Sequence, residues 1–282
     1  MDNKQKLGQF YTKNTEYIVG NLLNVFPNKN IDVIDPFAGE YDLLDILTND
    51  KFNKIGFDID PKTKNTIKLD TLLNPPNYNN KWIITNPPYL ARNKNKDKKL
   101  YDLYNLNDLY KIAIKTIIGC EGGILVIPLN FFSDERSKDI RTDFLSKYTI
   151  VNINIFEEQV FDDTKYTVCS FSFIKKDNNI QKINPLFLPS KTTKEFELNS
   201  NFNYSIGGKF LNEMNKYKNK NIKRLVKDSD IKPNTNLYLR ATDTGSGDGR
   251  IKLTINKHFY AKDTDRTFAT IILPKEYLIY SE

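Results

Sequence analysis

The stretch Ile31-Asp32-Val33-Ile34-Asp35-Pro36-Phe37-Ala38-Gly39-Glu40-Tyr41-Asp42-Leu43-Leu44 decides the fold. Its first five residues read as a strand and Pro36 onward as a turn opening a helix, the strand–loop–helix shape in which cofactors are bound. Glu40 and Asp42 suit the start of that helix, where carboxylates complement the positive end of the dipole. Working outward, Ile55-Gly56-Phe57-Asp58-Ile59-Asp60-Pro61 is a second short strand ending in acids, 67–72 a third strand end and 82–85 a fourth. Asp58 follows the loop by about 20 residues, the interval at which dinucleotide folds hold ribose hydroxyls. Helices over 108–118 and 133–148 alternate with strands over 123–128 and 150–156, and 166–175 closes the series. Upstream, Tyr17, Ile18, Leu22, Leu23 and Val25 share one face of a helix that Thr15 is placed to cap. This alternation predicts an α/β fold, a doubly wound Rossmann-like sheet whose ligands gather at the carboxyl ends of the strands.

The fourth strand delivers the chemistry. In Ile83-Ile84-Thr85-Asn86-Pro87-Pro88-Tyr89 an apolar run breaks into an amide, two prolines and an aromatic ring. Asn86 and Pro87 each precede a proline and are pushed towards extended backbone, while proline fixes φ and offers no N–H. The result is a stiff corner of acceptors. The Asn86 side-chain oxygen and the Pro87 carbonyl could both accept from one exocyclic amine, with Tyr89 stacked on the ring that bears it. A second tripeptide of the same kind, in Asn74-Pro75-Pro76-Asn77, follows no clear strand and lacks the aromatic, so it reads as a turn.

Composition bounds the rest. With 282 residues, 39% hydrophobic and 27% charged, the chain is an ordinary globular protein. A net charge of +7 favours a polyanionic partner, although a lysine-rich solvated surface gives the same number. Heavy use of Asn, Lys and Ile fits an AT-rich genome and discounts part of that charge. Cys120 and Cys169 lie in apolar runs without paired spacing, as reduced core residues of a cytoplasmic, nuclear or viral-factory protein do. No apolar run approaches a membrane span, and a lone histidine, His258, builds neither a metal site nor a triad, so no metal is expected. Beyond Lys176 the alternation stops and only short β-like runs appear, at 237–241, 251–255 and 267–273. A boundary near 180 therefore separates residues 1–178 from a smaller, mixed or mainly β domain over 179–282. The glycine-rich 243–249 reads as a plain hairpin connection. The final run, 277–282, stops soon after a strand-like stretch, as a piece of a longer enzyme would.

Together these residues resemble the S-adenosylmethionine-dependent DNA adenine-N6 methyltransferases of restriction–modification systems. Gly8-Gln9-Phe10-Tyr11-Thr12 looks like that family's N-terminal cofactor segment, Asp35-Pro36-Phe37-Ala38-Gly39 its methionine-binding loop and Asn86-Pro87-Pro88-Tyr89 its catalytic signature. The interval between Asp70 and Asn86 is too short for a recognition domain, an order similar to the gamma class. The resemblance implies that Phe10, Tyr11 and Thr12 complete the cofactor pocket. Asp58, beside Ile59, would take the ribose, Asp70, beside Thr71, the adenine amino group, and Asn86 would border both cofactor and substrate. A late segment, 159–168, looks like the one that supplies a second aromatic against a flipped base, Phe161 first and Tyr166 second. The family usually has glycine where Tyr41 stands, so a side chain there is expected to crowd the methionine end or change the turn.

The implied activity is methyl transfer to N6 of an adenine swung out of double-stranded DNA. Asn86 and Pro87 would orient the amine, and Tyr89 and Phe161 would stack on the base. Arg92, Lys94, Lys96, Lys98 and Lys99, directly after the corner, could hold phosphates, and a solvated loop explains them equally well. Target reading would fall to the C-terminal segment with Lys216, Lys218, Lys220, Lys223, Arg224 and Lys227. A cognate restriction endonuclease acting separately is a further possible partner; the sequence leaves oligomeric state open. Three alternatives remain at this point: a protein glutamine-N5 methyltransferase, an RNA adenine-N6 methyltransferase, and a cofactor-poor DNA-binding module.

Overall fold

A computed structural model describes residues 14–161, 166–176, 180–215, 223–227, 232–241, 251–255, 258, 260 and 268–273. Five parallel strands make its centre: β1 (Ile31–Asp35), β2 (Phe52–Asp58), β3 (Thr66–Lys68), β4 (Trp82–Thr85) and β5 (Gly122–Pro128). They stand in the order β3-β2-β1-β4-β5, so the chain steps outward from β1 on one side and returns to its other side at β4. That reversal leaves a crevice beyond the carboxyl ends of β1 and β4, where open α/β sheets bind ligands. Past β5 the sheet turns antiparallel, through β7 (Val168–Lys175) and then β6 (Tyr148–Phe156), while β9 (Leu186–Leu188) and β10 (Thr192–Thr193) complete nine strands. The chain thus adopts the expected mixed α/β class with a large, mostly parallel sheet.

Strand β5 is buried at every position, which explains its unbroken run of apolar residues where a half-exposed strand would alternate. A β-carbon on Gly123 would lie 1.9 Å from the Ile83 carbonyl oxygen, so β5 can approach β4 this closely only through a glycine. The first described helix, Thr15–Val19, is capped by Asn14, whose Oδ1 accepts from the Tyr17 N–H at 3.4 Å; Thr15 is its first helical residue and not the cap. The helix expected over 133–148 contracts to Lys138–Leu145, because two 3-10 turns, Leu129–Phe132 and Glu135–Ser137, take up the preceding chain. Cys120 and Cys169 are free and buried.

Two compact units divide at Phe210 and Leu211. The compositional change near 180 falls inside the first of them: β8 (Ile180–Ile183) pairs antiparallel with β11 (Phe196–Asn199), and Ile183 and Leu198 join the main core. In the second unit β12 (Lys223–Arg224), β13 (Leu237–Ala241), β14 (Ile251–Ile255) and β15 (Phe268–Ile272) form an antiparallel sheet in the order β12-β15-β13-β14. His258 is exposed. The 243–249 connection, Lys216, Lys218, Lys220 and the final 277–282 lie outside the described residues. Among the described residues no helix is long and apolar enough to cross a membrane.

Candidate active site

A cleft, about 990 Å³ of space partly open to solvent, opens at the strand reversal. Its walls come from the ends of β1, β2, β3 and β4. The loop after β1 contributes Asp35, Phe37, Ala38 and Gly39; β2 ends in Asp58 and Ile59; the turn after β3 adds Asp70 and Thr71; β4 adds Asn86 and Pro88. Every one of these was singled out in the sequence, and the fold brings them together. Pro36 binds this set from behind, its carbonyl accepting from the Thr71 hydroxyl at 2.9 Å. Phe10, Tyr11 and Thr12 lie outside the described residues.

Five carboxylates line the cleft: Asp35, Glu40, Asp42, Asp58 and Asp70. Asp35, 1% exposed, accepts from the Phe37 N–H at 3.0 Å and the Thr85 hydroxyl at 2.6 Å. Burial pushes its pKa up to about 7 against those two bonds. Asp58 stitches the loop to β2: Oδ2 accepts from the Gly39 N–H at 3.0 Å and Oδ1 from the Asp60 N–H at 2.8 Å. Asp70 Oδ1 accepts from the N–H groups of Leu72 and Leu73, both at 3.1 Å, which fixes the turn carrying Thr71. Burial also raises the pKa of Asp42.

Tyr41 does not crowd the cleft. Its backbone is left-handed, φ 77°, as the family's glycine would allow, but its ring turns onto β2 and its hydroxyl donates to the Lys54 carbonyl at 3.3 Å. A β-carbon on Gly56 would meet that ring at 2.6 Å. The bare α-carbon of Gly56 is what leaves Tyr41 room away from the loop.

At the corner, Asn86 is 8% exposed and lines the cleft. Its Oδ1 accepts from the Tyr89 hydroxyl at 2.6 Å, and that hydroxyl also lies 2.8 Å from the Val126 carbonyl. Tyr89 is only 4% exposed, with its ring edge-on to Tyr110 at 6.2 Å and to Phe161 at 6.5 Å. The two aromatics expected to stack on a base are therefore neighbours, both in the core. Pro87 is buried and is not part of the cleft wall. Tyr166 is more exposed, with the Lys94 ammonium 6.0 Å from its ring centroid.

The basic run after the corner is partly spent on itself. Arg92 pairs with Asp102 at 2.7 Å, and the Lys98 ammonium donates to the carbonyls of Arg92 and Asn95. Lys94, Lys96 and Lys99 are exposed. The run closes over the cleft through a helix, Lys99–Tyr104, that the sequence reading missed: Asn95 and Leu100 join the wall, as do Leu90 and Leu109. The apolar spacing of Leu100, Tyr101 and Tyr104 was the available signal, masked by the surrounding lysines. The other Asn-Pro-Pro, at 74–76, follows the Asp70 turn and is largely exposed. Among the described residues no group of three or more His, Cys, Asp or Glu could hold a metal.

No protein-family profile and no curated protein sequence matches the chain. Solved structures match in fold. The chain is similar to a protein described as the modification subunit of a type I restriction enzyme from Vibrio vulnificus YJ016, at 13% identity and TM-score 0.51, covering 79% of this chain and 57% of that one. It is likewise similar to a protein described as a class I S-adenosylmethionine-dependent methyltransferase from Listeria monocytogenes, at 17% identity and TM-score 0.51, covering 64% and 66%. The type IIG restriction endonuclease BpuSI matches at 13% identity and TM-score 0.50, covering 84% of this chain and 37% of that one. This chain thus spans little more than half the length of the first of these, and identities this low establish the shared fold alone.

Proposed function

We propose that the chain is an S-adenosylmethionine-dependent methyltransferase acting on N6 of adenine in double-stranded DNA, of the gamma order and the restriction–modification kind. The observation that carries this is the position of Asn86: a carboxamide at the end of β4, lining the same acidic cleft as Asp35, Asp58 and Asp70. The fold shared with a class I methyltransferase and with a restriction-system modification subunit supports the reading. The donor set also suits the cofactor, since a cleft walled by carboxylates favours a cation and Asp58 and Asp70 can accept from hydroxyl and amino groups. Tyr41, turned onto Gly56, weighs against a cofactor-poor module.

The cofactor, when bound, supplies an electrophilic methyl group. Asn86 Oδ1 accepts from the incoming amine, and the Pro87 carbonyl joins it only by turning to the cleft wall, drawing the lone pair out of the ring system and aiming it. The amine competes with the Tyr89 hydroxyl for Asn86 Oδ1, and Tyr89 presents its ring to a base only by leaving that bond. Stacking on an aromatic returns on the order of 1–3 kcal/mol towards the cost of extruding the base. The proton is lost from the product amine after transfer, so no general base is required. In this reading residues 1–178 hold the catalytic machinery and 179–282 contribute target recognition, with Lys94, Lys96 and Lys99 on phosphates. Tritiated methyl transfer to duplex DNA, RNA and a glutamine-bearing protein, run side by side, tests it. Label in adenine of duplex DNA is the expected result, and label confined to RNA or to protein overturns it.

A further inference from the structure

A second pocket, about 570 Å³ of space partly open to solvent, lies past the catalytic corner, and apart from Lys94 its polar lining is not used by the chemistry above. It is bordered by Asn93, Asp108, Tyr110, Lys111, Asn130 and Tyr166. Asp108 precedes the helix Leu109–Ile117, and its Oδ1 is buried with no hydrogen-bond partner among the described residues. Burial holds its carboxyl up at about 6, opposed by the charge of Lys111 and by backbone hydrogen bonds from Tyr110, Leu90 and Leu109 to the carboxyl group. Lys111 is 3% exposed; its ammonium donates to the Arg136 carbonyl at 2.9 Å, one bond for a group with three donors, and burial lowers it to about 8. Arg136 and Asp134 at the same pocket are occupied with each other at 3.0 Å.

A buried acceptor and a buried donor one helical turn apart, flanked by carboxamides and two tyrosine rings, call for a flat ligand with N–H beside a ring nitrogen or carbonyl. A phosphate would meet Lys94, Lys111 and Arg136 but also the charges of Asp108 and Asp134, and a cation would meet all three basic groups, so the mixed lining suits an uncharged polar ligand better than either. Asn86 lines the cleft and not this pocket, so the reacting base does not sit here. We infer that the pocket seats a nucleobase neighbouring the reacting one, read along its hydrogen-bonding edge by Asp108 and Lys111. Part of the target sequence is then recognised within the first unit. This rests on the DNA reading given under Proposed function.

The test uses the full chain, unmethylated genomic DNA and S-adenosylmethionine, with methylated positions mapped by sequencing and cofactor binding measured separately by calorimetry. Asp108→Asn and Lys111→Met should keep cofactor affinity and lose roughly tenfold of the base preference at one position beside the methylated adenine. An unchanged preference at every position overturns the inference while leaving the methyltransferase reading intact. Because Lys111 and the Asp108 Oδ1 atom are buried, Asn93→Ala on the exposed edge is measured in parallel. It should relax the same position, and if the buried variants do not fold, unchanged preference in Asn93→Ala is decisive against. Cofactor binding without any transfer to DNA by the parent chain overturns the substrate reading and this inference together.

Discussion

Asp35 is a carboxylate whose ionisation the fold resists. Its pKa rises from 3.8 to about 7 on folding, so between those values the folded chain holds a proton that the unfolded chain has released. Stability therefore falls as pH rises through that window, and the full cost is present above it. Asp35→Asn keeps an acceptor for Thr85 and Phe37 and should flatten the profile, which thermal melts at pH 5 and pH 8 would show as a smaller difference than in the parent. Under the proposed function the ionised form is also what a cationic cofactor favours. Cofactor affinity should then climb with pH through about 7 in the parent and stay level in Asp35→Asn.

Asn86 and Tyr89 are separable by substrate. Asn86→Ala should depress single-turnover methylation strongly while duplex binding survives. Tyr89→Ala should be partly rescued on DNA whose target adenine is mismatched, where extrusion costs less. Equal rescue of both variants, or a parental rate in Asn86→Ala, would sink the assigned roles. Asp58→Ala removes two backbone hydrogen bonds along with any ribose contact, so a loss on the order of tenfold or more in cofactor affinity is expected, with DNA affinity little changed.

At the scale of elements, the loop after β1 depends on Gly56. Gly56→Ala should cost about 1–3 kcal/mol by forcing the Tyr41 ring aside, and Tyr41→Gly in the same chain should recover much of it. Denaturant midpoints of the single and double variants would decide. The central elements were legible because their residues satisfy local and long-range demands at once: β1 and β4 are short apolar runs ending in polar residues, and β13 and β14 fall at the expected limits. Other parts were hidden. β8 and β11 are rich in polar residues, and what makes them strands is the burial of Ile183 and Leu198 in a core assembled by distant chain. Tyr41 holds its left-handed turn with the ring clear of the cleft for a reason 15 residues away, at Gly56, which no local pattern announces. The burial of Tyr89 likewise depends on Tyr110 and Phe161, brought to it by the fold.

At the scale of the whole molecule, the first compact unit ends at Phe210, so a cut at the compositional boundary is not a clean one. A chain ending at 176 loses β8 to β11 and exposes the core beneath Ile183, Leu188 and Leu198; it should melt far lower than the parent or fail to fold. A chain ending at 210 should fold and bind cofactor. If 211–282 reads the rest of the target, the longer fragment should bind DNA with reduced sequence preference, keeping only what the pocket at Asp108 and Lys111 supplies, measurable by competition between specific and random duplexes.

The Thr85 hydroxyl joins Asp35 to the strand that carries Asn86, a single 2.6 Å bond between the floor of the cleft and the corner above it. Any ligand that shifts the protonation of Asp35 changes the strength of that bond, and any ligand that moves the end of β4 changes the acidity of Asp35. Binding free energies obey reciprocity, so the factor by which a cofactor alters affinity for the amine is the factor by which the amine alters affinity for the cofactor. If the bond changes by about 1 kcal/mol between protonation states, that factor is roughly five. The order in which the two ligands arrive then leaves the final affinity of the pair untouched.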